Sequence, residues 1–330
     1  MAILLVAVAG AIGLLRWLLA GTPATGDAEW IWAPRSKASI TIPAAFYVYR
    51  DFRVEPRPAR ARLLIEAEEE YFAWLNGRPV GGGSFVLGEP LDVYAVGDLL
   101  LEGENRLVVE LRSSNGGGGL LADLQGAGPE PAAFEDLVAS DGEWRVARQW
   151  DPGLEGGWSS PGIEQVLVWG APPIGRWGVP ELGAERPVLA ELGRPPGALP
   201  GRPGEVVADR GAAGLDIAWP AEVTGYLSLE LDPDSSRLGL VHLEGEDLVP
   251  VVVPNGAPRW IDAVPRRWSR ARLSGLDGVR AVRVEELPTR AVADLLRPAP
   301  AAPAGLFGIH PPPLRTPLMQ QVRREVQEAD

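Results

Sequence analysis

Glu70-Tyr71-Phe72-Ala73-Trp74-Leu75-Asn76-Gly77-Arg78-Pro79-Val80-Gly81 is the stretch that decides the fold. Tyr71 to Leu75 is short and aromatic-rich, as strands are. Asn76-Gly77 is the dipeptide favoured where both turn residues need positive φ. The chain then resumes in the other direction as Arg78-Pro79-Val80, followed by glycines 81 to 83. The reading is a β-hairpin with a two-residue loop.

Working outward, the period-two signal continues. Arg62-Leu63-Leu64-Ile65-Glu66 precedes the hairpin, and Glu102-Gly103-Glu104-Asn105 makes a turn into Arg106-Leu107-Val108-Val109-Glu110-Leu111-Arg112. There Leu107, Val109 and Leu111 share one face, and Val108, Glu110 and Arg112 share the other, which predicts a half-buried antiparallel strand. Gly116 to Gly119 reads as a mobile loop, Asp141 to Val146 as a turn and strand, and Ile163 to Trp169 as one more strand. Gly178 to Glu205 is rich in Pro, Gly and Ala without periodicity and reads as an inter-domain connection. A second β-region follows, with strands at 225–231, 237–244, 248–253 and 279–285. Pro298 to Pro303 is another linker. Leu314, Leu318, Val322 and Val326 recur every four residues with Met319 beside them, an amphipathic helix whose apolar stripe needs a partner.

Composition agrees with a β protein. Gly (40) and Pro (33) in 330 residues imply many turns, and 46% hydrophobic residues suffice for real cores. With 31 Lys and Arg against 44 Asp and Glu, the formal charge is −13. Such a chain repels a phosphate backbone, so nucleic acid is not expected as a partner. Cysteine is absent, which excludes disulfides, thiolate metal sites and a Cys nucleophile. Two histidines, His242 and His310, exclude a centre built on several His ligands. Neither sits in a nucleophile motif, and the glycine run at 116–119 lacks the Lys-Ser/Thr of a phosphate loop.

Ala2 to Leu15 is an unbroken run of apolar residues and glycine, and Arg16 separates it from Trp17 to Ala20. Two readings are open: a signal peptide cleaved near Ala20 or Ala24, or an uncleaved anchor over 2–20 with Arg16 at the interface. Either implies an exported protein, in contact with membrane only through this segment.

Glu29-Trp30-Ile31-Trp32-Ala33, followed by Phe46-Tyr47-Val48-Tyr49-Arg50-Asp51-Phe52, resembles the opening of bacterial α-L-rhamnosidases. The hairpin at 70–81, the Leu99-to-Asn105 turn, Glu143-Trp144 and Pro172 to Gly178 are similar to later elements of the same first module. Leu215-Asp216-Ile217, Val223 to Leu227, His242 to Glu246 and Gly278 to Val284 resemble the next β-sandwich. Gly305-Leu306-Phe307 and Leu314 to Val326 resemble the entry into the first helix of the catalytic (α/α)6 barrel. The resemblance implies a galactose-binding-like jelly roll and a carbohydrate-related setting. The acid and base of that family lie on the barrel, which has no counterpart in this sequence, so no catalytic residue is carried over.

Inverting glycoside hydrolysis needs two carboxylates about 6.5–9.5 Å apart. The acidic clusters here are Glu66-Glu68-Glu69-Glu70 and Glu244-Glu246. Both read first as structural: a solvated acidic face is favoured for 66–70, with mutual repulsion that raises a pKa, or a calcium site, as the other readings. Asp216, Glu222 and His242 read as a salt-bridge network. For sugar binding, which needs an aromatic platform with polar neighbours, the candidates are Arg50, Trp74, Asn76 and Tyr94 in the first domain. Trp260 and Trp268 among Arg259, Arg266, Arg267 and Arg270 are the candidates in the second. Core packing competes for Trp74, the turn for Asn76, and a cation–π pair for the two later tryptophans.

The expected protein is mainly β, with two jelly-roll or β-sandwich domains in series, an N-terminal hydrophobic helix and a short C-terminal amphipathic helix. The expected boundaries are leader or anchor plus linker at 1–26, jelly roll at 27–180, linker at 181–205, second sandwich at 206–290, and linker plus helix at 291–330. The leading expectation is an exported carbohydrate-binding or scaffolding protein with no metal and no cofactor beyond a structural calcium, whose partner is a glycan, rhamnose-containing by resemblance. The alternatives are a truncated or split rhamnosidase-type hydrolase whose barrel docks through the helix at 314–326, and an envelope protein without ligand.

Overall fold

The computed structural model describes residues 24–34, 43–85, 87–129, 132–155, 164–175, 177–186, 188–189, 202–209, 214–235, 237–244 and 248–286. The hydrophobic segment at 2–20, the linker at 298–303 and the amphipathic helix at 314–326 lie outside these residues.

The described chain is mainly β. Its first half carries β1 (Trp30–Trp32), β2 (Ala44–Val54), β3 (Arg60–Glu68), β4 (Glu70–Leu75), β5 (Arg78–Ser84), β6 (Leu91–Ala95), β7 (Gly103–Ser113), β8 (Gly119–Ala127), β9 (Glu135–Ala139), β10 (Arg145–Ala147), β11 (Glu164–Gln165), β12 (Leu167–Gly170) and β13 (Leu182–Arg186). The second half carries β14 (Arg202–Pro203), β15 (Glu205–Asp209), β16 (Leu215–Leu231), β17 (Leu238–Leu243), β18 (Leu248–Val252), β19 (Arg259–Ile261), β20 (Arg266–Ser274) and β21 (Val279–Glu286). Two short 3-10 helices, Gly97–Leu99 and Pro152–Glu155, interrupt the first half.

Two sheets face each other across the first core. The seven-stranded sheet runs β12-β1-β8-β3-β6-β13 with β9 also on β8, and the six-stranded sheet runs β11-β10-β2-β7-β4-β5. Alternation places Ala61, Leu63 and Ile65 of β3 and Leu107, Val109 and Leu111 of β7 in that core. The decisive hairpin forms as its sequence dictates. Asn76 (φ 53) and Gly77 (φ 74) supply the two positive-φ positions between β4 and β5. The Asn76 side chain donates to Leu99 O (2.9 Å) and Asn105 Oδ1 (2.8 Å) and accepts from Arg106 N (2.9 Å), tying the turn to the next strand.

The second half is one eight-stranded sheet, β14-β21-β16-β20-β17-β18, with β15 and β19 also on β16. Its organiser is β16, 17 residues long. The register to β20 shifts between Ala218 and Val223, a stretch that contains Pro220. Before the shift β16 pairs with β15, and after it with β21 and β19. The sheet encloses Trp219, Trp260 and Trp268 with Leu227, Leu229 and Val241.

Several expectations are corrected. The single strand expected over 163–169 is, from Glu164 onward, two strands in different sheets, β11 and β12, with Val166 buried between them. The expected connector supplies β13, parallel to β6, and β14, antiparallel to β21. Both are short, polar edge strands, so neither carries the apolar alternation that would reveal it. The glycine run at 116–119 is packed: Trp32 Nε1 donates to Gly116 O (3.0 Å), and a Cβ on Gly118 would come within 2.1 Å of Glu68 O. The glutamates expected on a solvated face are instead largely buried, Glu68, Glu69 and Glu70 each below one tenth exposed. Trp177 Nε1 donates to Glu68 (2.8 Å), Ser114 N and Oγ donate to Glu69 (2.8 and 2.6 Å), and Glu70 stands 3.9 Å from Arg112.

Strand β7, expected half-buried, is buried on both faces. The outer face of the six-stranded sheet, with Tyr47, Phe72, Trp74 and Val108, packs on Tyr226 and Ile261 of the second half. Within this seam Arg112 is ion-paired with Glu110 (2.7 Å), donates to Ile261 O (2.7 Å) and lies over the Trp260 ring at 4.9 Å. Removing one member of such a buried set leaves the others uncompensated. Arg112→Ala is therefore expected to destabilise the protein by about 3–5 kcal/mol, read as a shift in urea midpoint; a loss below about 1 kcal/mol, the range of an exposed pair, would contradict this.

Candidate ligand-binding groove

Because the outer face of the six-stranded sheet is covered, open concave surface is found on the outer side of the seven-stranded sheet. In β3 the alternation that buries Ala61, Leu63 and Ile65 sends Arg60, Arg62 and Leu64 outward. Toward Glu68 this face is closed by Trp30, Trp177 and Leu64; the two indoles stack at 4.5 Å. Toward Arg60 it opens into a groove of about 530 Å³ lined by Arg57, Arg60, Arg62, Phe134, Asp98 and Glu185, with Val93 and Leu182 as apolar wall.

The groove is built around one ring. The guanidinium of Arg62 lies 4.1 Å from the Phe134 centroid and that of Arg60 lies 5.0 Å away. Arg60 donates to Ala132 O (2.7 Å) and Gly128 O (3.4 Å), fastening the segment that carries Phe134. Arg62 donates through Nε to Gln125 Oε1 (2.9 Å). Burial lowers its pKa, while nearby Asp123 and Glu185 raise it. Across the groove Arg57 donates to Gly97 O (2.6 Å) and Asp98 (3.1 Å), and Arg78 donates to Asp98 O (3.0 Å). The lining thus presents several cationic forks and two carboxylates around a half-buried aromatic.

None of the residues nominated from the sequence lines this groove. Arg50 is ion-paired with Glu143 and donates to its carbonyl (3.1 Å). Asn76 is engaged in the hairpin turn. Tyr94 is buried, its hydroxyl donating to Gly82 O (3.0 Å) beside Tyr71. Trp74 is 8% exposed and lies in the seam, 4.7 Å from Phe72. There a cavity of about 20 Å³, water-sized, sits among Tyr47, Trp74, Trp150 and Glu110. Trp260 and Trp268 are each 1% exposed; the first lies under Arg112 and the second meets Trp219 edge-on at 5.7 Å. Among the arginines beside them, Arg266 is buried on Asp262 (2.6 Å). The expected salt-bridge network resolves into separate pairs, Asp216 with Arg272 (2.6 Å) and Glu222 with Arg267 (3.5 Å).

The carboxyls with raised pKa are not among the residues that line the groove. Burial pushes Glu66 up to about 8, helped by Asp92, Glu68 and Glu89. Burial takes Asp92 up to about 6, against Arg186 (2.7 Å) and the Tyr71 hydroxyl, which favour its charge. Burial and the adjacent Asp136 take Asp123 up to about 8. Gln125 Nε2 donates to Asp123 Oδ2 (2.6 Å), whereas Oδ1 meets no donor. The side-chain hydrogen bond with Asp136 adds to the rise at Asp123. Among the described residues no three His, Asp or Glu side chains form a metal-binding group.

A carboxyl whose folded pKa is raised binds its proton more tightly folded than unfolded. From the ordinary value near 4 up to about 8 the folded state holds the extra proton, so stability is highest below this window and falls as pH rises through it. Asp123→Asn is expected to flatten the decline of the melting temperature between pH 5 and pH 8, leaving a smaller slope from Glu66 and, up to about pH 6, from Asp92. At pH 8 it should melt no lower than the parent; an unchanged slope in a pH series would contradict this.

No family model matches the sequence, and no curated protein matches it. Among solved structures the chain is similar to native α-L-rhamnosidase from Aspergillus terreus, with a TM-score of 0.50 and 16% identity over 78% of this chain and 36% of that one. It is also similar to α-L-rhamnosidase from Dictyoglomus thermophilum (TM-score 0.45, 15% identity, 78% and 35% covered) and to the apo lectin of Pleurotus ostreatus (0.39, 15%, 79% and 77%). At these identities the likeness is one of fold. The chain spans about a third of the length of the two rhamnosidases.

Proposed function

We propose that this chain is a non-catalytic carbohydrate-binding or scaffolding unit, with the groove around Phe134 as its glycan site. The observation that carries the reading is the groove itself. Its volume of about 530 Å³ falls within the range of small-molecule sites. Its polar groups are of two complementary kinds: guanidiniums that donate to sugar oxygens and carboxylates, Asp98 and Glu185, that accept from sugar hydroxyls. The apolar wall of Val93 and Leu182 suits the C–H face of a pyranose. A mainly β fold with a rhamnosidase as a structural neighbour is compatible with this use. The sequence resemblance to the first two modules of that family supports a rhamnose-containing glycan as the first class to try.

The reading is non-catalytic because the carboxyls tuned toward neutral pKa, Glu66, Asp92 and Asp123, are absent from the groove lining. A glycosidase needs one raised and one ionised carboxyl facing the same bond.

On a glycan array the full chain is expected to retain at least one glycan class. Phe134→Ala, which removes the ring under both guanidiniums, should weaken that signal about tenfold, the effect of losing roughly 1.4 kcal/mol, with little change in melting temperature. No turnover of a chromogenic α-L-rhamnoside by this chain is expected. Silence across the array, retention unaffected by Phe134→Ala, or clear hydrolysis would each overturn the proposal.

A further inference from the structure

The groove's charge pattern says which kind of glycan it takes. We infer that it selects a saccharide bearing a carboxylate, a uronic acid residue, held end-on by the guanidinium of Arg62. This rests on the reading of the groove as a glycan site.

Arg62 is set up for that contact. Its Nε is committed to Gln125 and its plane lies over Phe134, so the side chain is fixed in position and direction. Its two terminal nitrogens make no hydrogen bond to any described residue, although the side chain is half-buried and partly desolvated. A guanidinium fork with both ends open matches a carboxylate bidentately, two parallel N–H···O bonds of fixed geometry. A neutral pyranose offers hydroxyl oxygens to the fork but no charge to match it. The neighbouring cations reinforce the site: Arg60 shares the Phe134 ring and Arg57 stands on the opposite wall. The acids in the lining leave Arg62 available. Asp98 is held by Arg57, and Glu185 makes no ion pair with Arg62 within 4.0 Å. The concentration is local, since the chain as a whole carries −13. Three arginines in one concavity of an acidic protein are a selective feature, not the overflow of a basic surface.

The test is calorimetric titration of the full chain with an oligogalacturonate, its fully methyl-esterified form, a sulfated neutral oligosaccharide of equal length, and a neutral rhamnose-containing oligosaccharide. The free acid is expected to bind at least tenfold tighter than its ester, and to weaken severalfold between 50 and 500 mM NaCl, as a charge-assisted contact does. Arg62→Ala should lose at least tenfold toward the acid and little toward the neutral sugar. Arg62→Lys should recover only part of it, because an ammonium is a point charge without a fork. Glu185→Gln, which keeps a hydroxyl acceptor on the wall but removes its negative charge, should tighten the acid two- to threefold, a gain that misfolding cannot mimic. Equal affinity for acid and ester, preference for the neutral or sulfated sugar, or indifference to both Arg62→Ala and Glu185→Gln overturns the inference while the glycan site stands. Binding of none of the four, with none retained on the array, overturns the glycan reading itself.

Discussion

The burial of Arg112 between the two halves of the chain is the constraint on which the rest of the structure depends. Stripping water from a guanidinium is costly, and here Glu110, the Ile261 carbonyl and the Trp260 ring offset it. Around this polar centre Tyr47, Phe72, Trp74 and Val108 meet Tyr226 and Ile261, so the contact has an apolar surround. Breaking such a set is costly because the charge that remains is left buried without its partner. The functional consequence is one of elimination. The outer face of the six-stranded sheet is consumed by this contact, and the aromatic residues on it are lost to ligands.

That elimination explains what was legible in the sequence. Where structure is local or periodic, the reading held: Asn76-Gly77 turns where it should, and Leu107, Val109 and Leu111 enter the core. The two faces of β7 are where it ran out. Val108, Glu110 and Arg112 read as a solvated face, because nothing near them in sequence announces that Ile261, some 149 residues away, covers them. The same non-locality misled the site. Trp74, Trp260 and Trp268 have the composition of sugar platforms, but whether a tryptophan is platform or core depends on what packs against it. The glutamates at 68–70 look solvated for the same reason; their partners come from two distant places in the chain, Arg112 and Ser114 at the end of β7 and Trp177 after β12.

The groove was half visible. Arg60-Ala61-Arg62-Leu63 places two arginines on one face and two apolar residues on the other, and that alternation could have been read as a basic stripe. Phe134 could not, since it follows a Gly-, Pro- and Ala-rich stretch and reaches Arg60 and Arg62 only through the β8–β9 connection. Its role is preorganisation. An unsupported arginine spends rotamer entropy when it closes on a ligand, whereas one laid on a ring and tied to Gln125 has already lost much of it. Beside it, burial pushes the Asp123 carboxyl up to about 8.

The central claim is spatial: the ligand face is the outer side of the seven-stranded sheet, and the seam is closed. Amide chemical-shift mapping of the labelled chain during titration with an acidic oligosaccharide tests it most directly. Shifts are expected to gather at residues 57–62, 95–98, 134 and 182–185, with the seam positions 74, 110, 112 and 260 unmoved. Shifts centred on the seam, with 57–62 silent, would contradict the account.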